Sequence, residues 1–130
     1  MLDSLMKFTL IILAAPYSSQ ASVTALNFAR ALLDQDHEIY RLFFYGDGVH
    51  NADKSTVVAV GETNLQNLWD ELIRANELDS VVCVSSALKR GVLDPSEAER
   101  HQTGIANLRD STDLAGLGQF VDAALQSDRV

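Results

Sequence analysis

Apolar positions along this 130-residue chain come in two kinds of run: short unbroken blocks and longer stretches at helical spacing. The blocks are Lys7–Ala14, His37–Tyr45 and the β-branched segment Val81–Val84. Each has the length and residue types of a strand buried on both faces. Between the first two, Val23, Leu26, Ala29, Leu32 and Leu33 recur at helical spacing and predict a helix to about Leu33. Ser18 or Ser19 stands where a cap belongs. Thr63–Ala75 is the clearest helix: Leu65, Leu68, Trp69, Leu72 and Ile73 follow the i, i+3, i+4, i+7, i+8 template. Thr63 and Gln66 have capping-box spacing, and Trp69 falls on the core face.

Asp94-Pro95-Ser96-Glu97 is a second helix start, with a cap, a proline at the first helical position and Glu three residues after the cap. That helix is expected to run to about Thr103. A short strand is expected near Thr112–Leu114. The last helix, Leu117–Gln126, is expected to turn Leu117, Phe120, Val121, Ala124 and Leu125 inward. Asp128-Arg129-Val130 reads as the start of a final strand. Val49–Gly61 has no clear period; Thr56–Val60 is either a short strand or a loop over the core. Strand, helix and strand in this order form a right-handed βαβ unit, hence an α/β protein with a parallel sheet.

Length and an apolar content of 47% give one domain with its own core. The formal charge of −8 argues against a nucleic-acid-binding surface and favours protein or small-molecule partners. Phe8–Ala15 is too short to span a membrane and lacks the basic flank of a signal peptide. Residues 1–5 read as a flexible extension ahead of a single domain, 6–130. Gly46-Asp47-Gly48 lacks the glycine spacing of a dinucleotide site. His37, His50 and His101 lie far apart in sequence, with no metal-ligand spacing.

Cys83 is the only cysteine. An intrachain disulfide is therefore impossible, and a reducing, cytoplasmic location is the simpler expectation. Two readings of Cys83 compete. It is either a buried strand thiol acting as a small hydrophobe, or a reactive thiolate at the strand end, where ligands of open α/β sheets collect. For the second, the N–H groups of Ser85 and Ser86 and the charges of Lys89 and Arg90 are candidate anion stabilisers. Both basic residues fit a solvated helix surface equally well.

Several stretches together resemble one family. Pro16-Tyr17 with Gln20-Ala21-Ser22 follows the first strand. Phe43-Phe44-Tyr45-Gly46-Asp47-Gly48-Val49-His50-Asn51 resembles an FFY-x-(D/E)-G-V-x-N segment. Val82-Cys83-Val84, Arg90-Gly91-Val92, Asp94 and Glu97-Ala98 resemble a cysteine segment, and Leu114, Gly116-Leu117-Gly118 and Asp128-Arg129-Val130 a C-terminal part. The family is that of DsrE/TusD sulfur-relay proteins. Ser55–Glu62 carries none of its pattern.

The resemblance implies a three-layer α/β/α sandwich with a mainly parallel sheet. It implies a cytoplasmic heterohexamer with two related subunits, with an upstream persulfide donor protein and a downstream acceptor protein. Cys83 would carry the persulfide, with no metal or organic cofactor. The relay would lead to 2-thiolation of the tRNA wobble uridine, or in the DsrE branch to sulfur oxidation. Such complexes also contain non-catalytic subunits. The acidic balance implies no direct tRNA binding by this subunit, and the aromatic run Phe43–Tyr45 is expected near an interface.

Overall fold

Four parallel strands, β1 (Lys7–Ile12), β2 (Glu38–Phe44), β3 (Ser80–Cys83) and β4 (Asp113–Ala115), lie side by side in chain order in the computed structural model. It describes residues 4–130. Parallel neighbours need a crossover between them. Helix α1 (Ala21–Asp34) joins β1 to β2. A 3-10 helix (Gly46–Ala52) and α2 (Leu65–Asn76) join β2 to β3. The short helices α3 (Val84–Lys89) and α4 (Pro95–Arg100) lead to β4. The chain then turns back. Helix α5 (Leu117–Gln126) carries it from the β4 edge to the β1 edge, where Arg129 forms a parallel bridge with Phe8. The final segment pairs there as a strand would, Thr9 N–H donating to Arg129 O at 3.0 Å.

The two faces of the sheet are unequal. Ile12, Leu42, Phe44 and Val82 face a large core filled by Leu26, Ala29 and Leu32 of α1, Trp69 and Ile73 of α2, and Val49 of the 3-10 helix. Trp69 meets Phe44 edge-on, with centroids 5.4 Å apart. Burying two such side chains contributes about 1.5–3 kcal/mol each, and their edge-to-face contact about 0.5–1.5 more. The opposite face holds a small cluster, Phe43, Val81, Cys83 and Ala115, backed by Ile11 and by Phe120 of α5. The layers are thus α/β/α, with the second helical layer thin.

The strands and the larger helices stand where the apolar pattern put them; the differences are local. Gln20 occupies the N-cap of α1 without a side-chain bond, although Ser19 Oγ accepts from Ala21 N–H. Val23 is more than a third exposed, and buried Ser22 takes the inward position instead. Asn64, not Thr63, caps α2 by accepting from Asn67 N–H at 3.0 Å. Gln66 is buried, bonded to the Tyr17 hydroxyl and to His50 O. Asp94 caps α4 as expected, accepting from Glu97 N–H, but the helix stops at Arg100.

Thr56–Val60 is not a strand; Val57 and Val60 are exposed. Of the inward set expected on α5 only Phe120 packs on the sheet; Leu117, Val121, Ala124 and Leu125 are exposed, and Ala123 is buried instead. Phe43 and Phe44 are buried within the subunit, leaving Tyr45 as the exposed member of that aromatic run. Of the expected extension 1–5, the first three residues lie outside the described ones; Ser4 and Leu5 have no regular structure.

Candidate functional site

β3 ends at Cys83 and α3 begins at the next residue, so Cys83 is both the last strand residue and the helix N-cap. Its backbone is extended, φ −62° and ψ 121°. Val84, Ser85 and Ser86 form the first helical turn, whose N–H groups have no acceptor within the helix. Strand alternation puts Cys83 on the thin side of the sheet with Val81, paired in register with Ala115. Ile11, Phe43 and Val81 line up across three strands beside it. The residue is 5% exposed, as the buried-thiol reading has it. An apolar cleft of about 240 Å³ opens next to this cluster, lined by Ile11, Phe43, Tyr45, Leu117 and Phe120. Tyr45 stacks on Phe43 there, 6.3 Å between centroids.

The candidate anion stabilisers part company. Ser86 is buried, and its Oγ accepts from Gly46 N–H at 3.0 Å. Arg90 Nε donates to Asp47 Oδ1 at 2.8 Å, and its Nη1 to Ser86 O at 3.2 Å. These bonds fasten α3 to the first turn of the 3-10 helix, so that the loops after β2 and β3 form one unit. The hydrogen bond and charge of Arg90 hold the Asp47 carboxyl below its usual range, and Asp47 in turn offsets the Arg90 charge. Ser85 is exposed. Lys89 lies on a separate shallow groove with Leu88, Leu93 and His101. The structure therefore groups Ser86 and Arg90 around the loop beside Cys83 and sets Lys89 apart.

Residues outside the expected set complete this region. Asn51 is buried, its Nδ2 donating to Ala14 O, Gly48 O and Ser22 Oγ at 3.0–3.2 Å. Ser22 Oγ donates to Ala14 O at 2.6 Å. The Tyr17 hydroxyl accepts from Leu65 N–H at 2.9 Å and donates to Gln66. Tyr17, Ser22, Gly48 and Asn51 were visible only as pieces of a motif. Their task is to lock the β1–α1 loop, the 3-10 helix and the start of α2 together at the carboxyl end of the sheet. His37 Nδ1 accepts from Met6 N–H, and His101 lies 3.3 Å from Glu97. Among the described residues no three His, Cys, Asp or Glu side chains are grouped to hold a metal ion.

A profile of the DsrE/DsrF-like family matches residues 6–130. The chain belongs to this family. It is 45% identical over 125 residues to the putative sulfurtransferase DsrE of Allochromatium vinosum, covering 96% of each chain. It is 46% identical over 125 residues to a sulfurtransferase TusD homolog of Pseudomonas aeruginosa, covering 96% of this chain and 95% of that one. Against sulfurtransferase TusD of Cronobacter sakazakii the identity is 41%, over 96% and 98% of the two chains. The fold is similar to that of the ychN protein from E. coli, with a TM-score of 0.77 over 97% of both chains at 23% identity. Among the described residues of this DsrE/DsrF-like protein, no helix is long and apolar enough to cross a membrane.

Proposed function

We propose that this DsrE/DsrF-like protein is a sulfurtransferase subunit that carries sulfur as a persulfide on Cys83, in a relay leading to 2-thiolation of the tRNA wobble uridine. The observation that carries this reading is the position of the chain's one thiol. It lies at the carboxyl end of a central strand, at the opening of a helix, in a chain whose relatives are named sulfurtransferases. The Cys83 thiolate attacks the outer sulfur of a donor protein's persulfide. A new S–S bond forms, the donor's own S–S bond breaks, and the donor leaves as its thiolate. An acceptor thiolate then attacks the outer sulfur of Cys83–S–SH, and Cys83 departs as thiolate. Each step is thiol–disulfide exchange in form. The N–H groups of Ser85 and Ser86 would stabilise the anion; Arg90 is offset by its pairing with Asp47, and Lys89 lies apart on its own groove.

The setting is a cytoplasmic heterohexamer with two related subunits. Leu117, Val121 and Leu125 support it: they make one exposed apolar stripe on α5, whose first residue, Leu117, shares a cleft with Tyr45. Likeness to DsrE at 45% identity supports a second reading, the same carrier step serving sulfur oxidation. Burial of Cys83 favours a third, a non-catalytic subunit with a structural thiol. The deciding experiment is intact-mass analysis after incubation with a cysteine desulfurase and a persulfide-bearing carrier protein. One added sulfur atom that maps to Cys83 supports the carrier; an unchanged mass supports the structural subunit. Measuring 2-thiouridine in tRNA after deletion of the chain then separates thiolation from oxidation.

A further inference from the structure

The thinly covered side of the sheet presents a mechanical problem that rests on the sulfur-carrier reading. Cys83 has to meet a thiol from another protein, yet it is 5% exposed. The helix residue packed on its cluster is Phe120 of α5. Little apolar burial holds α5 down: Ala123 is its one buried residue, Phe120 is half-buried, and Leu117, Val121 and Leu125 are exposed.

Polar bonds supply the rest, and a bulge in β2 aims them. Phe8 pairs with Ile39 and Thr9 with Arg41, so Tyr40 is an extra residue in the register. A bulge turns consecutive side chains toward one face where a regular strand would alternate them. Tyr40 and Arg41 both reach α5 as a result. The Tyr40 hydroxyl donates to Asp122 Oδ2 at 2.7 Å. Arg41 Nη1 donates to Gln119 O at 2.6 Å and to Asp122 Oδ2 at 3.3 Å. Arg41 is itself anchored by Nε and Nη2 bonds to Asp79, 3.0 and 2.8 Å. These contacts grip α5 at residues 119 and 122, either side of Phe120. Beyond the helix, Ser127 Oγ is 2.7 Å from Thr9 Oγ1, and Asp128 accepts from Lys7 N–H.

We propose that α5 is a hinged cover over Cys83 and that Tyr40, Arg41 and Asp122 form the clasp that keeps it shut. The connections to β4 and to β1 tether both ends, so releasing the clasp swings Phe120 off the cluster without unthreading the helix. Sulfur exchange is then gated by the clasp. The three are positioning residues; none touches the sulfur.

The test is the rate at which iodoacetamide alkylates Cys83 in the folded full-length chain, followed by intact mass, since alkylation needs access but no sulfur donor. Tyr40→Phe removes one hydrogen bond and is expected to speed labelling by roughly five- to tenfold. Asp122→Ala and Phe120→Ala are expected to speed it at least as much. Asp70→Asn, in a polar network outside the clasp, is the control for general loosening and is expected to leave the rate near wild type. Equal rates in wild type and all three clasp or cover variants would overturn the proposal, and so would equal acceleration by Asp70→Asn. Faster alkylation in a chain that never takes up sulfur would leave the cover standing and remove the carrier function. Sulfur uptake with unaltered alkylation would do the reverse.

Discussion

Gly48 lies directly against the carbonyl of Ile12: a β-carbon built on Gly48 would collide with that backbone oxygen. Here the 3-10 helix docks on the end of β1, and Gly48 N–H donates to Tyr45 O at 2.9 Å as the chain turns. Backbone cannot yield as a flexible side chain does. Gly48→Ala is expected to lower stability by about 1–3 kcal/mol, the range of core overpacking, read from the urea midpoint. Gly46 provides the contrast. It has φ +56° with open space at its β-carbon, so Gly46→Ala is expected to cost only about 1–2 kcal/mol of left-handed backbone strain.

Asn51 makes the same junction chemically specific. One buried amide serves two carbonyls and a hydroxyl. Asn51→Leu removes the donor and leaves Gly48 O and Ala14 O with fewer partners away from water. A loss of about 2 kcal/mol is expected. Proteolysis should become faster in the β1–α1 loop near Pro16, which Asn51 holds. Stability within about 0.5 kcal/mol of wild type would remove Asn51 from its place as the tie between these loops.

Acid should loosen the tie that Asp70 of α2 makes to Ser111 and Arg109, just ahead of β4. Burial alone would raise the Asp70 carboxyl, but hydrogen bonds from Ser111 and Arg74 and the charges of Arg74 and Arg109 outweigh it and hold it low. A carboxyl depressed by folding contributes stability above its unfolded pKa, about 3.9, and loses it as pH falls through the folded value. Unfolding free energy should therefore decline below about pH 4–5. In Asp70→Asn, urea melts between pH 3 and 7 should show a shallower decline; identical slopes would exclude Asp70 from the acid response.

What the sequence tells about this molecule depends on how local the cause is. Buried strands and the apolar face of α2 are written in neighbouring residues, and so is the Asp94 cap, which needs only Glu97 three positions on. The 3-10 helix is dictated by a contact between residues 12 and 48, so no period announces it. The bulge at Tyr40 depends on how β1 pairs. Misjudging α5 has the same origin: Leu117, Val121 and Leu125 form a regular apolar stripe, and nothing local says that Ala123 faces the sheet instead. Uniqueness and strand-end position left Cys83 open between a buried thiol and a nucleophile, and the resemblance made it the candidate carrier. Its cover was not legible, because Phe120 is 37 residues away in the chain.

Eighteen acidic residues face ten basic ones, and Arg41, Arg74 and Arg90 are paired with carboxylates. Such a surface repels a polyanion at long range. The isolated subunit is expected not to retain tRNA on filters at micromolar concentration near physiological salt. Retention that falls steeply with added salt would reveal a basic site that the net charge hides.

Replacing the thiol tests both its chemistry and its surroundings. Cys83 packs against Phe43, Val81 and Ala115, an apolar setting that an exposed strand edge would not give. Serine there brings a hydroxyl into an apolar cluster, which costs about 1–3 kcal/mol if unpaired, but at the N-cap of α3 it meets the free first-turn N–H groups, a position serine favours. Cys83→Ser should therefore destabilise the fold by only about 1 kcal/mol. Cys83→Ala loses only part of the packing, about 1 kcal/mol, and is the cleaner variant. Both are expected to abolish sulfur uptake in the intact-mass assay. A serine variant destabilised by more than about 3 kcal/mol would mean that the hydroxyl finds no donor in the first turn of α3. An alanine variant that still gains a sulfur atom would take the carrier role away from Cys83.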